Sequence, residues 1–187
     1  MKTKDEIDKI KATVLYILNK FPNGIDLIKL FKIMYFAEKD HLITYGRCIT
    51  SDSFHALKHG PVPSFTYKAI QVNQGKMKKT TDLNEIASVI FISNDKLFAK
   101  KDADQDEFSI SDLKCLNNAI NECINVDSYV LSDLSHNDAA WKDAYFRSQD
   151  DPEKKKMTLI DIARSGNAPM DIIDKIRESE QIKMAFT

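Results

Sequence analysis

Apolar residues recur every three or four positions near the start of the chain, which predicts an amphipathic helix. The positions are Ile7, Ile10, Val14, Ile17, Leu18 and Phe21. The run Pro22-Asn23-Gly24 then predicts a turn. From Ile25 to Gly46, apolar residues occupy most of the helical circumference. A helix of that kind usually lies at the centre of a core.

The stretch from Phe54 to Tyr67, FHALKHGPVPSFTY, breaks the helical pattern. The pattern of residues 54–58 predicts a short strand. The run Gly60-Pro61-Val62-Pro63 predicts an extended, turned backbone, because proline fixes its own φ and moves the preceding residue out of the helical region. Pro63 suits the first turn of a helix over residues 64–74. We therefore expect a rigid corner between an extended segment and a helix.

Beyond this corner the pattern predicts a loop, a hairpin and further helices. Residues 76–84 are typical of a loop. The segments IASVIFIS and KLFAKK, separated by Asn94-Asp95, favour strands and predict a hairpin. Ser109 or Ser111 is suited to cap the next helix, and Asp138 to cap a later one.

The predicted fold class is mostly α (α+β): a helical domain with a small antiparallel sheet of about three short strands. We expect residues 1–150 to form the main domain and residues 151–187 a C-terminal helical extension packed on it. That last segment carries Ile172, Ile173, Ile176, Ile182, Met184 and Phe186. These apolar residues fit docking on the chain's own core or on a partner.

Composition narrows the possible functions. The chain has 187 residues and a net charge of −1, so bulk charge gives no general attraction to nucleic acid or to a membrane surface. Its three cysteines lack CxxC spacing, which argues against a disulfide framework and a structural zinc site. No apolar run approaches the ~18 residues of a membrane span. We expect a cytoplasmic protein.

Candidate catalytic residues are few and poorly arranged. His55 and His59 lie on predicted extended backbone, which places them over ~12 Å apart, too far to share a metal ion. Ser135 is adjacent to His136, but neighbours in sequence do not form a nucleophile–base pair and no nucleophile elbow surrounds the serine. Cys48 lacks an evident base. We expect no enzymatic activity, no metal and no cofactor; a hydrolase using His136 or Cys48 is the enzymatic alternative.

Three ordered motifs resemble the Panacea domain, the SocA-like antitoxin and phage-associated protein family. The first matches at Lys29, Leu30, Lys32, Tyr35 and Ala37, the second at Gly60, Pro61, Val62 and Tyr67, and the third at His136 and Trp141. The resemblance covers roughly residues 7–146. It implies a bacterial antitoxin that neutralises a cognate toxin protein by direct binding.

The resemblance leaves other mechanisms open. The protein is alternatively an adaptor that delivers a toxin to an ATP-dependent protease, or a DNA-binding autoregulator. We expect no membrane partner, and the near-neutral charge disfavours a nucleic-acid partner. The expected partner-binding residues are Tyr35, Lys58, His59, Tyr67 and His136. The expected structural residues are Gly60 and Pro61, which would form the turn, Val62, which would pack, and Trp141, which would fill the core.

Overall fold

The structure is a computed structural model that describes residues 2–185. In that part of the chain, nine α-helices accompany two antiparallel sheets of two strands each. The first half comprises α1 (Lys4–Asn19), α2 (Leu27–Tyr45), β1 (Phe54–Leu57), β2 (Gly60–Pro63), α3 (Ser64–Asn73), α4 (Thr81–Ala87), β3 (Ile90–Ser93) and β4 (Lys96–Ala99). The second half comprises α5 (Ile110–Cys123), α6 (Ser128–His136), α7 (Ala139–Asp150), a 3-10 turn (Pro152–Lys155), α8 (Leu159–Ser165) and α9 (Met170–Ala185).

The central element is α2, as its apolar circumference predicts. It packs against α5, β2, α6 and α8. Asp26 caps its start by accepting a hydrogen bond from the backbone N–H of Lys29, and Gly46 ends it with a positive φ of 69°. Two of its ionisable side chains, Lys32 and Glu38, are buried. Lys32 donates to the backbone of strand β2, whereas Glu38 accepts hydrogen bonds from the backbone N–H groups of Ile49 and Thr50.

The β1–β2 hairpin reverses at a different place from the one predicted. Gly60 pairs with Leu57 and Pro61 with Ala56, so the two-residue turn is Lys58-His59. The expectation that Gly60 and Pro61 form the turn is therefore wrong, because both belong to strand β2. Pro61 lacks an N–H, but a strand of a two-stranded sheet has a free edge where none is needed.

The β3–β4 hairpin confirms the second strand prediction, with Asn94 and Asp95 both at positive φ in the turn. The mostly helical α+β class is also confirmed. The strands form two separate sheets of two strands rather than one sheet of about three.

Helix α4 occupies part of the predicted loop and of the first predicted strand. The hydroxyl of Thr80 caps it by accepting a hydrogen bond from the N–H of Leu83. Leu83 and Ile86 are both buried. The cap and the burial of these two apolar side chains stabilise a helix at residues 81–87.

The C-terminal helices lie against α2 and α7. Helix α8 contacts both, and α9 contacts α2 and α8. Ile173 and Ile176 are buried, whereas Ile182 and Met184 are exposed; Phe186 lies outside the described residues. Within residues 2–185, no helix combines the length and apolar character needed to cross a bilayer.

Candidate functional site

The three sequence motifs meet at the β1–β2 hairpin. Three side chains from three different helices donate hydrogen bonds to its backbone carbonyl oxygens, and we call this set the hairpin anchor. Its contacts are Lys32 Nζ to Pro61 O at 3.1 Å, Ser132 Oγ to His59 O at 3.0 Å and Trp141 Nε1 to Leu57 O at 3.0 Å. The hairpin is thereby held against α2, α6 and α7 at once.

Gly60 is required where the hairpin meets α2 and α6. Its φ of +98° is a conformation that favours glycine. A Cβ at this position would lie 2.2 Å from Ser135 Oγ and 2.4 Å from Lys32 Nζ. The absence of a side chain therefore allows both polar groups to approach the backbone. Val62, two residues on, packs in the core as predicted.

Lys32 is an unusual member of the hairpin anchor, because the residue is only 1% exposed. The one hydrogen bond recorded for its Nζ is to Pro61 O, and no salt bridge within residues 2–185 includes it. Burial lowers the pKa of Lys32 to about 7. An ammonium has three N–H groups, so most of its donor capacity is unused here.

His136 and Trp141 form a stack of rings beside the hairpin. Their ring centroids are 4.2 Å apart, and Tyr145 continues the stack 4.8 Å from Trp141. Nε2 of His136 is buried and has no hydrogen-bond partner in the part of the chain that the structure describes. Burial lowers the pKa of His136, and the positive charge of Lys32 lowers it further.

The neighbouring serine does not complete a catalytic pair with His136. The Ser135 hydroxyl is buried and donates to the carbonyl of Ser132 at 2.7 Å. Burial also raises the pKa of the Cys48 thiol far above its usual value. A thiol with so high a pKa supplies almost no thiolate at neutral pH.

Tyr35 is buried, contrary to the expectation that it contacts a partner. Its exposed fraction is zero, and its hydroxyl donates to Asp138 Oδ2 at 2.7 Å. Lys39 donates to the same oxygen at 2.6 Å. Burial alone would raise the pKa of Asp138, but these two donors outweigh it and hold that pKa below its usual value. Asp138 also caps α7, as predicted, so Tyr35 orients a cap from inside the core.

A cavity of about 250 Å³ lies between the start of α2, the hairpin and α3. Its apolar walls include Phe31, Val62 and Tyr67, and its basic side chains are Lys32, Lys58 and His59. None of the side chains recorded as lining it is acidic. Three of the five expected partner-binding residues, Lys58, His59 and Tyr67, are thus brought together. His136 is not among the lining residues, and contact of any of them with a partner stays a prediction.

Helix α6, which contacts strand β2, also carries an exposed apolar strip on its outer face. The strip consists of Tyr129, Val130 and Leu134, with exposed fractions of 66%, 49% and 55%. The opposite face of α6 packs on α2 and β2 and includes Ser132 of the hairpin anchor. Sequence reasoning missed both this strip and Ser132. The only sequence feature that could have indicated the strip is the occurrence of apolar residues on both faces of the helix.

A second buried polar cluster has a structural role. Nε2 of His41 lies 3.1 Å from Asp112 Oδ1, and Lys9 and Arg47 also reach that carboxylate. His41 has no exposed surface. No group of three or more potential metal-ligating side chains occurs in residues 2–185.

Comparison with known families identifies the domain. The family model for the SocA-like antitoxin, Panacea domain, matches residues 30–142, well over half of the chain. No curated protein and no solved structure matches significantly. The matched region contains the hairpin, the cavity's Lys58, His59 and Tyr67, and all three side chains of the hairpin anchor. The chain therefore belongs to the SocA-like antitoxin family and carries its Panacea domain.

Proposed function

We propose that this protein is an antitoxin that neutralises a cognate toxin protein by binding it directly. The observation that carries the proposal is that the Panacea domain has both an exposed apolar strip on α6 and a largely apolar cavity at the hairpin. The hydrogen bond from Ser132 to the carbonyl of His59 links α6 to the hairpin turn, whose His59 lines the cavity. The proposed binding surface comprises the strip and the rim of the cavity.

The physical character of this surface suits a protein partner. Exposed apolar side chains grouped on one helix face are typical of interaction sites. Tyr67 and Tyr129 add aromatic groups, which contribute strongly at protein interfaces. The hairpin is held by three side chains, so little conformational entropy is lost when it binds.

We propose further that neutralisation needs no chemistry by this protein. The two nucleophiles considered from the sequence are unsuited to it. Ser135 donates its hydroxyl hydrogen to a backbone carbonyl, and the Cys48 thiol has a strongly raised pKa. Binding that covers the toxin's own active surface is sufficient.

Co-expression with the product of the adjacent gene tests the proposal. We expect growth to be rescued and the two proteins to purify as a complex. Tyr67→Ala and Leu134→Asp should each weaken the complex roughly tenfold or more without unfolding the antitoxin. Ile110→Asp is the matched control, because Ile110 is 89% exposed on α5 and outside this surface. Absence of rescue together with absence of a complex would refute toxin neutralisation by this pair.

The lifetime of the toxin separates direct neutralisation from delivery to a protease. Under direct neutralisation the toxin's half-life is unchanged or longer when the antitoxin is present. A shortened half-life that depends on an ATP-dependent protease would replace this mechanism with the adaptor mechanism.

A further inference from the structure

We propose that the cavity beneath the β1–β2 hairpin is a binding site for a carboxylate carried on an apolar stem, with the ammonium of Lys32 as its counter-ion. The site differs from the exposed strip of α6 and requires no toxin to be tested. Three properties of the cavity support it.

The first property is the free donor capacity of Lys32. Its Nζ has one recorded acceptor, the carbonyl oxygen of Pro61 at 3.1 Å. An ammonium donates three hydrogen bonds, and a buried cation without a counter-ion is costly. Lys32 also lines the cavity, so a ligand in the cavity can reach its ammonium group. An anionic oxygen entering there would supply the missing charge and a second acceptor.

The second property is the charge of the walls. Lys32, Lys58 and His59 line the cavity, and no acidic side chain is recorded among its lining residues. Lys58 and His59 are exposed at the hairpin turn, so they lie at the solvent side, whereas Lys32 is buried. This arrangement attracts an anion to the cavity and places its strongest partner deep inside.

The third property is the apolar surface between these charges. Phe31, Val62 and Tyr67 line the cavity. Its volume of about 250 Å³ holds roughly eight groups the size of a water molecule, at ~30 Å³ each. That room fits a medium-length alkyl or aryl stem. A hydrophilic anion such as inorganic phosphate would leave these walls without contacts.

A titration with matched probes tests the inference. The purified protein is titrated with octanoate, 1-octanol and octylamine, and binding is followed by calorimetry and by the NMR signals of the lysine ε-methylene groups. We expect octanoate to bind and to shift the Lys32 signal, with 1-octanol at least roughly tenfold weaker and octylamine weaker still. Equal binding of octanoate and 1-octanol, or no binding of octanoate, would overturn the inference.

Two variants locate the site. Lys32→Met keeps an unbranched side chain, one heavy atom shorter, and removes its charge, so octanoate binding should weaken roughly tenfold or more. Lys58→Gln removes an exposed charge and should weaken binding less. If Lys32→Met does not fold, the probe comparison in the unmodified protein decides alone. An equal loss in both variants would contradict the buried position of the counter-ion.

The carboxylate has two possible sources, and competition separates them. If a bound toxin supplies it from a side chain, octanoate displaces the toxin and Lys32→Met weakens the complex. If a free acid supplies it, octanoate and the toxin bind together. Failure of octanoate to bind would sink this inference but leave the antitoxin proposal intact, since growth rescue tests that independently.

Discussion

The ammonium nitrogen of Lys32 lies 3.1 Å from the carbonyl oxygen of Pro61. This contact joins the middle of α2 to strand β2, and so brings the first sequence motif against the second. Among residues 2–185, no side chain forms a salt bridge with Lys32. The hydrogen bond thus fixes the hairpin. It also buries a titratable amine, which makes the stability of the folded protein depend on pH.

Replacing Lys32 with methionine should stabilise the protein most at mildly acidic pH. Burial lowers the folded-state pKa to about 7 from an ordinary value of 10.5. Between these values the unfolded chain binds more protons, so the wild type gains stability as pH rises and Lys32→Met does not. Urea denaturation should show the advantage of Lys32→Met shrinking by up to ~1.4 kcal/mol per pH unit above about pH 7.

The exposed Lys58 provides the control for that experiment. Lys58→Met makes the same replacement at the hairpin turn, where the side chain is exposed, and is measured over the same pH range. A difference between Lys32→Met and the wild type that does not change with pH would show that the Lys32 amine does not titrate in the folded protein.

Gly60→Ala should destabilise the protein by ~2–4 kcal/mol. The new Cβ would combine an unfavourable positive φ with approaches of 2.2 Å to Ser135 Oγ and 2.4 Å to Lys32 Nζ. Gly75→Ala is the matched control, because Gly75 has a φ of +71° but no atom within 4 Å of the added Cβ. It should lose only ~1 kcal/mol in thermal or urea unfolding. Equal losses would mean that the close approach at Gly60 contributes nothing.

Trp141 should report the protonation of His136 through its fluorescence. It is the only tryptophan of the chain, and the imidazole ring stacks 4.2 Å from it. A protonated imidazole quenches indole, so emission should fall as pH falls. Because burial and the charge of Lys32 lower the pKa of His136, the midpoint should lie below the usual ~6.5.

Variants test the assignment of that transition. His136→Gln should abolish it, whereas His59→Gln should leave it in place. Lys32→Met should move the midpoint upwards, since a nearby positive charge is removed. A midpoint that does not respond to Lys32 would contradict their electrostatic interaction.

Tyr35 and Asp138 should be energetically coupled. The Tyr35 hydroxyl donates to the Asp138 carboxylate at 2.7 Å, and Asn can still cap α7 in Asp138→Asn. A double-mutant cycle with Tyr35→Phe and Asp138→Asn should therefore give a coupling of ~1–2 kcal/mol in unfolding free energy. Tyr16→Phe is a suitable control, because Tyr16 donates instead to Asn117. Additive losses for Tyr35 and Asp138 would refute the coupling.

The sequence was informative where a structural signal is local. The apolar circumference of α2 predicts the central helix and Asp138 predicts the cap of α7, while of the two serines considered for α5 the cap is Ser109. Each of these signals depends on residues within one or two helical turns. The hairpin at Asn94-Asp95 was found for the same reason.

The site was less predictable because its contacts join distant segments. Trp141 reaches the carbonyl of Leu57 across 84 positions, and Ser132 reaches that of His59 across 73. Periodicity carries no information about such pairs. The resemblance placed Tyr35 and Tyr67 in one group, but their exposures differ, because Tyr35 lies on the inner face of α2 and Tyr67 borders the cavity.

Every member of the hairpin anchor ends on a main-chain oxygen, an atom that all twenty amino acids possess. The identities of Lys58 and His59 therefore play no part in keeping the hairpin in place. A library randomised at these two codons should yield mostly folded proteins that differ in what they recognise. The two turn residues can therefore be exchanged without moving the hairpin, and engineering of a new binding specificity should begin with them.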